Sequence, residues 1–460
     1  MKKIFLAILI LSLPVFVWAQ DIDFDYLKIY NLDDLKIINL FALWDIEGGY
    51  DLATIDLGGD GQSEILIGAG RRHQPTVKIL RGNGSLINEF LVFDDEFDGG
   101  INIIACDFEN DKRQEILVGA NKGGGAHVRV FDGFGGTKVS PGFFADSEEY
   151  KQGVQVGCAD TDGDGYDEIF TISGDDTKYL KAFDFEGNLL RQIDLPLKSH
   201  NIDIAAVDLG GDGRQEIVIS GGWLDQPLVQ IYRGDFSLVN EWLAYSDHFT
   251  GGVNILGVDI DDDGKQEILT VPGLSGGPHF IAWDGYGQQK NTKFVFDTEF
   301  KGGLSMAIGD VTGDKKNNIL FAPQNLPTGK KDLAQYIDID VSEQIFRYYQ
   351  DGFLVDEMLT STGKPSTATR LGEFDAFAKY EMAYGGIEGQ TWAMPYFISF
   401  YTSGNLENGI HELPFLNGGR EGVGSLGTAV SHGCVRLAIG PAQEVFDWIE
   451  VGLAKVFVHN

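Results

Sequence analysis

Asp160-Thr161-Asp162-Gly163-Asp164-Gly165-Tyr166-Asp167-Glu168-Ile169 is the stretch on which the reading of this chain turns. It places carboxylates at positions 1, 3 and 5, glycine at 6 and glutamate at 9, where an apolar run begins. Asp259-Ile260-Asp261-Asp262-Asp263-Gly264-Lys265-Gln266-Glu267-Ile268 repeats the pattern, and less complete copies start at Asp56, Asp107, Asp208 and Asp310. Successive copies are 51, 53, 48, 51 and 51 residues apart. Each loop joins two short apolar runs, for example 101–106 with 116–118 and 253–258 with 268–271. Between loops lies a second hairpin pattern, as in 77–80 with 86–93 and 229–232 with 238–243. Four strands per unit of about 50 residues is the arithmetic of a β-propeller blade. A whole hairpin (27–30 with 36–41) precedes the first loop and the last copy ends at 319–321, so six complete four-stranded blades are expected. A solenoid of the same units would leave its end strands unpaired.

The loop spacing has its own chemistry. Carboxylates at 1, 3 and 5 of a sharp turn converge on one point, and an acid at 9 closes the shell, as calcium's hard oxygen coordination requires. The two complete loops resemble the calcium loops of FG-GAP repeats, known from integrin-type propellers. The resemblance spans roughly 300 residues and implies structural Ca2+ at Asp160, Asp162, Asp164 and Glu168, and at Asp259, Asp261, Asp263 and Glu267. The other loops depart from it: Gly58 and Gly210 replace the acid at position 3, Lys112 replaces the turn glycine, and Thr312 and Asn318 replace acids in the last copy. Plain acidic turns without metal are the alternative.

Outward from the repeats, the 460-residue chain is strongly acidic, with a formal charge of −34. Such a surface repels nucleic acid and anionic lipid, which excludes both as partners. Lys2 and Lys3, an apolar stretch over 4–17 and Val17-Trp18-Ala19 predict a signal peptide over 1–19. The chain is therefore expected to be secreted, to the periplasm or cell wall. No later segment is apolar for long enough to span a membrane. Cys106 lies one residue before its acidic loop and Cys158 two before the next. Because side chains alternate along a strand, the two are expected to face opposite ways and stay unpaired. That leaves Cys434 as a free thiol in an exported protein, which needs a reason.

The repeat stops after Pro323, and a polar linker, Thr328-Gly329-Lys330-Lys331, leads to a second texture. Strand patterns cover 336–341, 344–349, 353–360, 374–380, 396–401 and 455–459, and a helix led by Pro441 covers 441–449. The fold class expected is thus all-β: a six-bladed β-propeller over 26–325, then a mostly-β domain with one short helix over 335–460.

Chemistry concentrates in Ser431-His432-Gly433-Cys434-Val435-Arg436, with His411 upstream. A thiol of ordinary pKa is mostly protonated at neutral pH, and a nearby imidazole activates it. Glycine before the cysteine permits close approach, and neighbouring N–H groups can then face a developing oxyanion. Zinc on one Cys and two His is the alternative, unsupported by any spaced cysteine pair.

This segment resembles the L,D-transpeptidase (YkuD-type) catalytic domain, whose motif is matched by His411, Ser431, His432, Gly433, Cys434, Val435 and Arg436. Supporting matches are Ser361-Thr362-Gly363-Lys364, Thr369-Arg370-Leu371-Gly372-Glu373-Phe374 and Met394-Pro395-Tyr396. Arg370 in place of proline, Glu412 after the histidine and a long stretch between His411 and Ser431 are departures. The resemblance implies peptidoglycan stem peptides as substrate and no cofactor for catalysis. It also implies Cys434 as nucleophile, His411 as base held by the Glu412 carbonyl, and an oxyanion hole from the N–H groups of His432, Gly433 and Cys434. Arg436 either holds a substrate carboxylate or braces the loop. Two other readings remain: an L,D-carboxypeptidase with water as acceptor, and an adhesin-like protein whose propeller binds a wall or surface ligand.

Overall fold

The computed structural model describes residues 26–460 apart from 43–48, 148, 175–176, 200, 326–327, 388–389 and 405. The expected signal peptide lies outside the described residues. No helix among them is long and apolar enough to cross a membrane.

The repeats form six antiparallel four-stranded sheets. Five are contiguous in sequence, beginning with Tyr50–Ile55, Ile101–Cys106, Gln155–Ala159, Ile204–Val207 and Val253–Val258. The sixth is assembled from both ends of the region. Leu304–Gly309 and Asn318–Pro323 are completed by Tyr26–Asn31 and Ile37–Ala42, with Lys28 opposite Phe321 and Asn31 opposite Asn318. The count of six sheets matches the sequence reading, but their phase does not. The N-terminal hairpin does not begin the first sheet; it finishes the last.

Each acidic loop is closed by its own backbone. Asp160 accepts from the N–H groups of Gly163 (2.7 Å), Asp164 (3.2 Å) and Gly165 (2.8 Å). Asp56, Asp208 and Asp310 repeat the arrangement whether or not their loops carry the full acid set. The position-9 residue also has one job throughout. Glu168 accepts from Thr161 N (3.1 Å), Glu267 from Ile260 N (3.1 Å), and Asn318, lacking charge, from Val311 N (3.1 Å). Consecutive loops are tied as well: Gln215 N donates to Asp160 O (2.9 Å), Gln266 N to Asp208 O (2.9 Å), and Ser63 of the first loop to Asp310 O of the last (2.8 Å).

Side chains on the leading strands link one sheet to the next. Asp51 accepts from Ile103 N (2.7 Å), Asn102 from Val156 N (3.0 Å) and Asp203 from Ile255 N (2.8 Å). Cys106 and Cys158 form a disulfide with a Cα–Cα distance of 6.1 Å, contrary to the sequence expectation. The two do point to opposite faces of their own strands. They belong to successive sheets, however, and the front of one sheet packs on the back of the next. Opposite facing is what brings the sulfurs together within an apolar cluster that includes Leu117, Val128, Val156 and Ile169.

The C-terminal region has two sheets around one core. The first runs in the order Phe353–Leu359, Ile345–Gln350, Gln335–Asp340, Lys455–His459, Gly372–Asp375. The second runs Gly419–Arg420, Phe415–Leu416, Gln390–Ser403, Leu406–Glu412, Val435–Leu437, and Ala378–Ile387 pairs with Gln390–Ser403. Ile337, Phe346, Ile398, Ile410, Val435 and Val456 from the sheets meet Val445 and Trp448 of the helix Pro441–Trp448. The expected strand over 374–380 is instead two strands broken at Ala376 and Phe377.

The strand Phe353–Leu359 seats this region on the repeats. Phe353 packs edge-on against Phe300 at 5.9 Å. Asp356 is buried and paired with Arg71 and with Lys122 (2.6 Å), while Glu357 pairs with Arg72 (2.8 Å). Burial alone would raise the Asp356 pKa, but the two cations outweigh it and hold the carboxyl below its usual range.

Candidate active site

Two strands in parallel register set the geometry. Leu406–Glu412 carries His411, and Val435–Leu437 begins one residue after Cys434; Ile410 lies opposite Val435 and His411 opposite Arg436. One step back in that register, the Gly409 N–H favours the ionised form of Cys434. The thiol, at the end of a turn that leads straight into one strand, is therefore placed beside the strand that carries the imidazole. His411 is 2% exposed, stacked on Phe397 (ring centroids 5.7 Å apart), and its Nδ1 lies 2.6 Å from Glu412 O. A carbonyl can only accept, so Nδ1 carries the proton and the Nε2 lone pair is left to act as base.

Burial pushes the His411 pKa down to about 4, against its bond to Glu412, and the charge on Arg436 adds to the effect. Burial also pushes the Cys434 thiol up, opposed by the Gly409 N–H and by Arg436. Both groups thus rest neutral. Both shifts favour the neutral thiol and imidazole over the ion pair at rest.

The turn that delivers Cys434 is braced from far away in sequence. Ser431 is fully buried; its hydroxyl donates to Cys434 O (2.5 Å) and accepts from Gly433 N (3.1 Å). Gly433 has φ +117°, and a Cβ there would stand 3.0 Å from Asn408 Oδ1, so glycine is required. Its N–H is committed to Ser431, which removes it from the expected oxyanion set and leaves His432 and Cys434. The Thr369 hydroxyl donates to Gly433 O (3.0 Å) and accepts from Gly363 N (2.8 Å). Thr367 Oγ1 and Lys364 N both donate to Ser431 O, and Ser361 and Arg436 exchange backbone bonds. The upstream Ser-Thr-Gly-Lys and Thr-Arg-Leu-Gly elements are therefore the scaffold of the cysteine turn.

His432 faces outward from the base: Lys364 Nζ is 3.3 Å from its Nε2 and Trp392 meets its ring edge-on at 5.7 Å. Arg436 is buried, its guanidinium 5.3 Å from the Trp392 ring centre and bonded to Glu421 (2.8 Å). Sequence reasoning missed Trp392, Tyr401, Asn408 and Glu421, none of which lies in a short motif. Tyr401 and Asn408 both border Gly433; burial, and Cys434 once it is ionised, raise the Tyr401 pKa against the Arg370 N–H.

In the repeats, carboxylate oxygens of Asp160, Asp162 and Asp164 lie within 4.8 Å of one another, as do those of Asp259, Asp261 and Glu267. Such all-oxygen sets suit a hard divalent cation. Glu168 and Asp263 stand outside these groups.

The site thus sets a half-buried free thiol and a buried imidazole at neighbouring positions of two parallel strands. Residues 334–458 match the family model YkuD, the L,D-transpeptidase catalytic domain. Among solved structures, an L,D-transpeptidase from Mycobacterium tuberculosis H37Rv is 17% identical, with 34% of this chain and 77% of that one covered and a TM-score of 0.24. For an L,D-transpeptidase from Stackebrandtia nassauensis the values are 20%, 28%, 56% and 0.22, and for one from Mycobacterium smegmatis 18%, 56%, 100% and 0.25. A comparison with curated protein sequences gives no match.

Proposed function

We propose that the protein is a secreted L,D-transpeptidase in which Cys434 forms a thioester with the stem peptide of peptidoglycan. The observation that carries this reading is the tautomer lock: His411 Nδ1 bonded to Glu412 O, on a strand in register with the one that Cys434 leads into. Cys434 Sγ attacks the carbonyl of the L-centre of diaminopimelate in a tetrapeptide stem while its proton passes to His411 Nε2. The oxyanion is held by the N–H groups of His432 and Cys434. Collapse expels D-alanine, protonated by His411, and leaves the acyl-enzyme. An amine of a neighbouring stem then takes the acyl group, giving a 3→3 cross-link and restoring the thiol. Water in place of that amine gives the carboxypeptidase reaction. Mass spectrometry of tetrapeptide muropeptides incubated with the protein should show 3→3 dimers and free D-alanine, and Cys434→Ala should abolish both without lowering the melting temperature. Dimers at normal rate from Cys434→Ala would sink the mechanism.

The same reading takes residues 26–325 as a closed six-bladed β-propeller that positions the enzyme on the wall or a surface ligand, supported by the split sixth sheet and the Ser63–Asp310 bond between last and first loops. Ca2+ would be held by Asp160, Asp162 and Asp164, and by Asp259, Asp261 and Glu267. Because the ion binds only the folded state, saturation at 100 times Kd stabilises by about 2.7 kcal/mol per site. Calcium should therefore raise the melting temperature, and Asp164→Ala should remove part of that rise. A melting curve indifferent to calcium and chelator returns these loops to self-bonded turns.

A further inference from the structure

Glu412 uses both ends. Its carbonyl holds His411 Nδ1 at 2.6 Å, while its side chain, buried with the rest of the residue, is shared between the Arg420 guanidinium and the N–H of Gly440 (3.2 Å). Any residue would supply the carbonyl, and a buried carboxylate is costly unless paired. Burial indeed raises the Glu412 pKa, opposed by the Gly440 N–H and by Arg420. The position explains the expense. Glu412 is the last residue of its strand, opposite Leu437, so the sheet constrains its carbonyl from one side only. Arg420 comes from the strand Gly419–Arg420, with its guanidinium 4.7 Å from the Phe415 ring centre, and Gly440 leads into the helix Pro441–Trp448. The carboxylate thus ties the end of the histidine strand to two other elements.

We propose that Glu412 and Arg420 form a clamp that fixes the direction of the Glu412 carbonyl, and through it the tilt and tautomer of His411; this rests on the reading of His411 as the base for Cys434. Both are positioning residues that act through His411. Without the clamp that peptide is held only through the Leu413 N–H, which donates to Leu437 O (2.9 Å), and a tilted Nε2 takes the thiol proton less often.

The experiment follows acylation of Cys434 in the full-length protein by imipenem, whose strained carbonyl reports the first step alone, using intact-mass kinetics between neutral and alkaline pH. Arg420→Ala and Glu412→Ala should acylate about tenfold to a hundredfold more slowly at neutral pH. Raising the pH should narrow the gap as the thiol ionises unaided, and Arg420→Lys should restore much of the rate. A purely structural role would lower the melting temperature and leave the rate of folded protein unchanged at every pH. Arg420 lies at a hairpin with its side chain one-third exposed, so Arg420→Ala decides the matter if Glu412→Ala fails to fold. His411→Ala separates the two claims. Equal acylation with and without His411 overturns the base assignment. His411-dependent acylation that Arg420→Ala and Glu412→Ala leave at full rate overturns the clamp alone.

Discussion

The acidic loops of the repeats and the turn that presents Cys434 are both tight turns rich in glycine, yet they are held in opposite ways. Asp160 satisfies N–H groups no more than five residues away, and Glu168 reaches back seven. Such a turn closes on its own side chains before any bond to the next loop is added, and its six copies accept substitutions such as Asn318 for glutamate. Around Cys434 the bonds of Ser431, Gly433 and Arg436 run to Thr367, Thr369 and Thr360, separated by 64, 64 and 76 residues. That turn exists only after the second module has folded. Self-contained turns tolerate variation; a cross-braced one ties residue identity to the whole module.

Breaking each kind of link sharpens the contrast. The largest stability effect is expected from the covalent tie between sheets. Replacing Cys106 and Cys158 together by alanine should lower unfolding free energy by about 2–4 kcal/mol in urea titration. Acylation of Cys434 per folded molecule should stay unchanged, because the disulfide lies in the repeat region; a loss of chemistry would show that the two modules are not separable in this way. Next is Thr369→Val, which leaves Gly363 N and Gly433 O without their shared hydroxyl. It should cost about 2 kcal/mol and, unlike the disulfide variant, reduce acylation of the folded protein. Unaltered kinetics would mean that the turn holds its shape without its distant brace.

The smallest effect is in pH. His411 titrates near pH 4 in the folded chain, below its ordinary value near 6.5. Below about pH 6.5 the unfolded chain takes up a proton that the folded one refuses, so this stability is present at neutral pH and is lost as pH falls toward 4. The melting temperature of His411→Gln should therefore fall less than that of the parent between pH 7 and 5. Parallel curves would show that His411 is not held neutral by burial.

What was legible in the sequence follows the same division. The six loops could be read because each carries its determinants within ten residues, and the cysteine motif because its residue types are contiguous. The pairing of Cys106 with Cys158 could not be read, since alternation along a strand says nothing about which sheet faces which. Nor could the strand Leu406–Glu412, whose Asn408 and Gly409 disguise it; its neighbours in the sheet make it a strand. Trp392 and Glu421 reach Arg436 only through that same non-local pairing, and the Glu412 side chain acquires its role only when Arg420 and Gly440 arrive beside it.

The N-terminal hairpin carries a kinetic consequence. Lys28 pairs with Phe321, so the sixth sheet cannot form until nearly three hundred residues have emerged, and the first two strands must wait for the last two of the repeats. Closing so long a loop adds only slowly to the entropy cost, on the order of 0.6 kcal/mol for each doubling of length, but it places the event late. Until then the early strand Tyr26–Asn31, whose Leu27 and Ile29 are buried once it pairs, waits with an open edge of the sort that recruits foreign strands. A chain made from its N-terminus would hold that edge open while five sheets form, an interval in which mispairing competes with completion of the sixth.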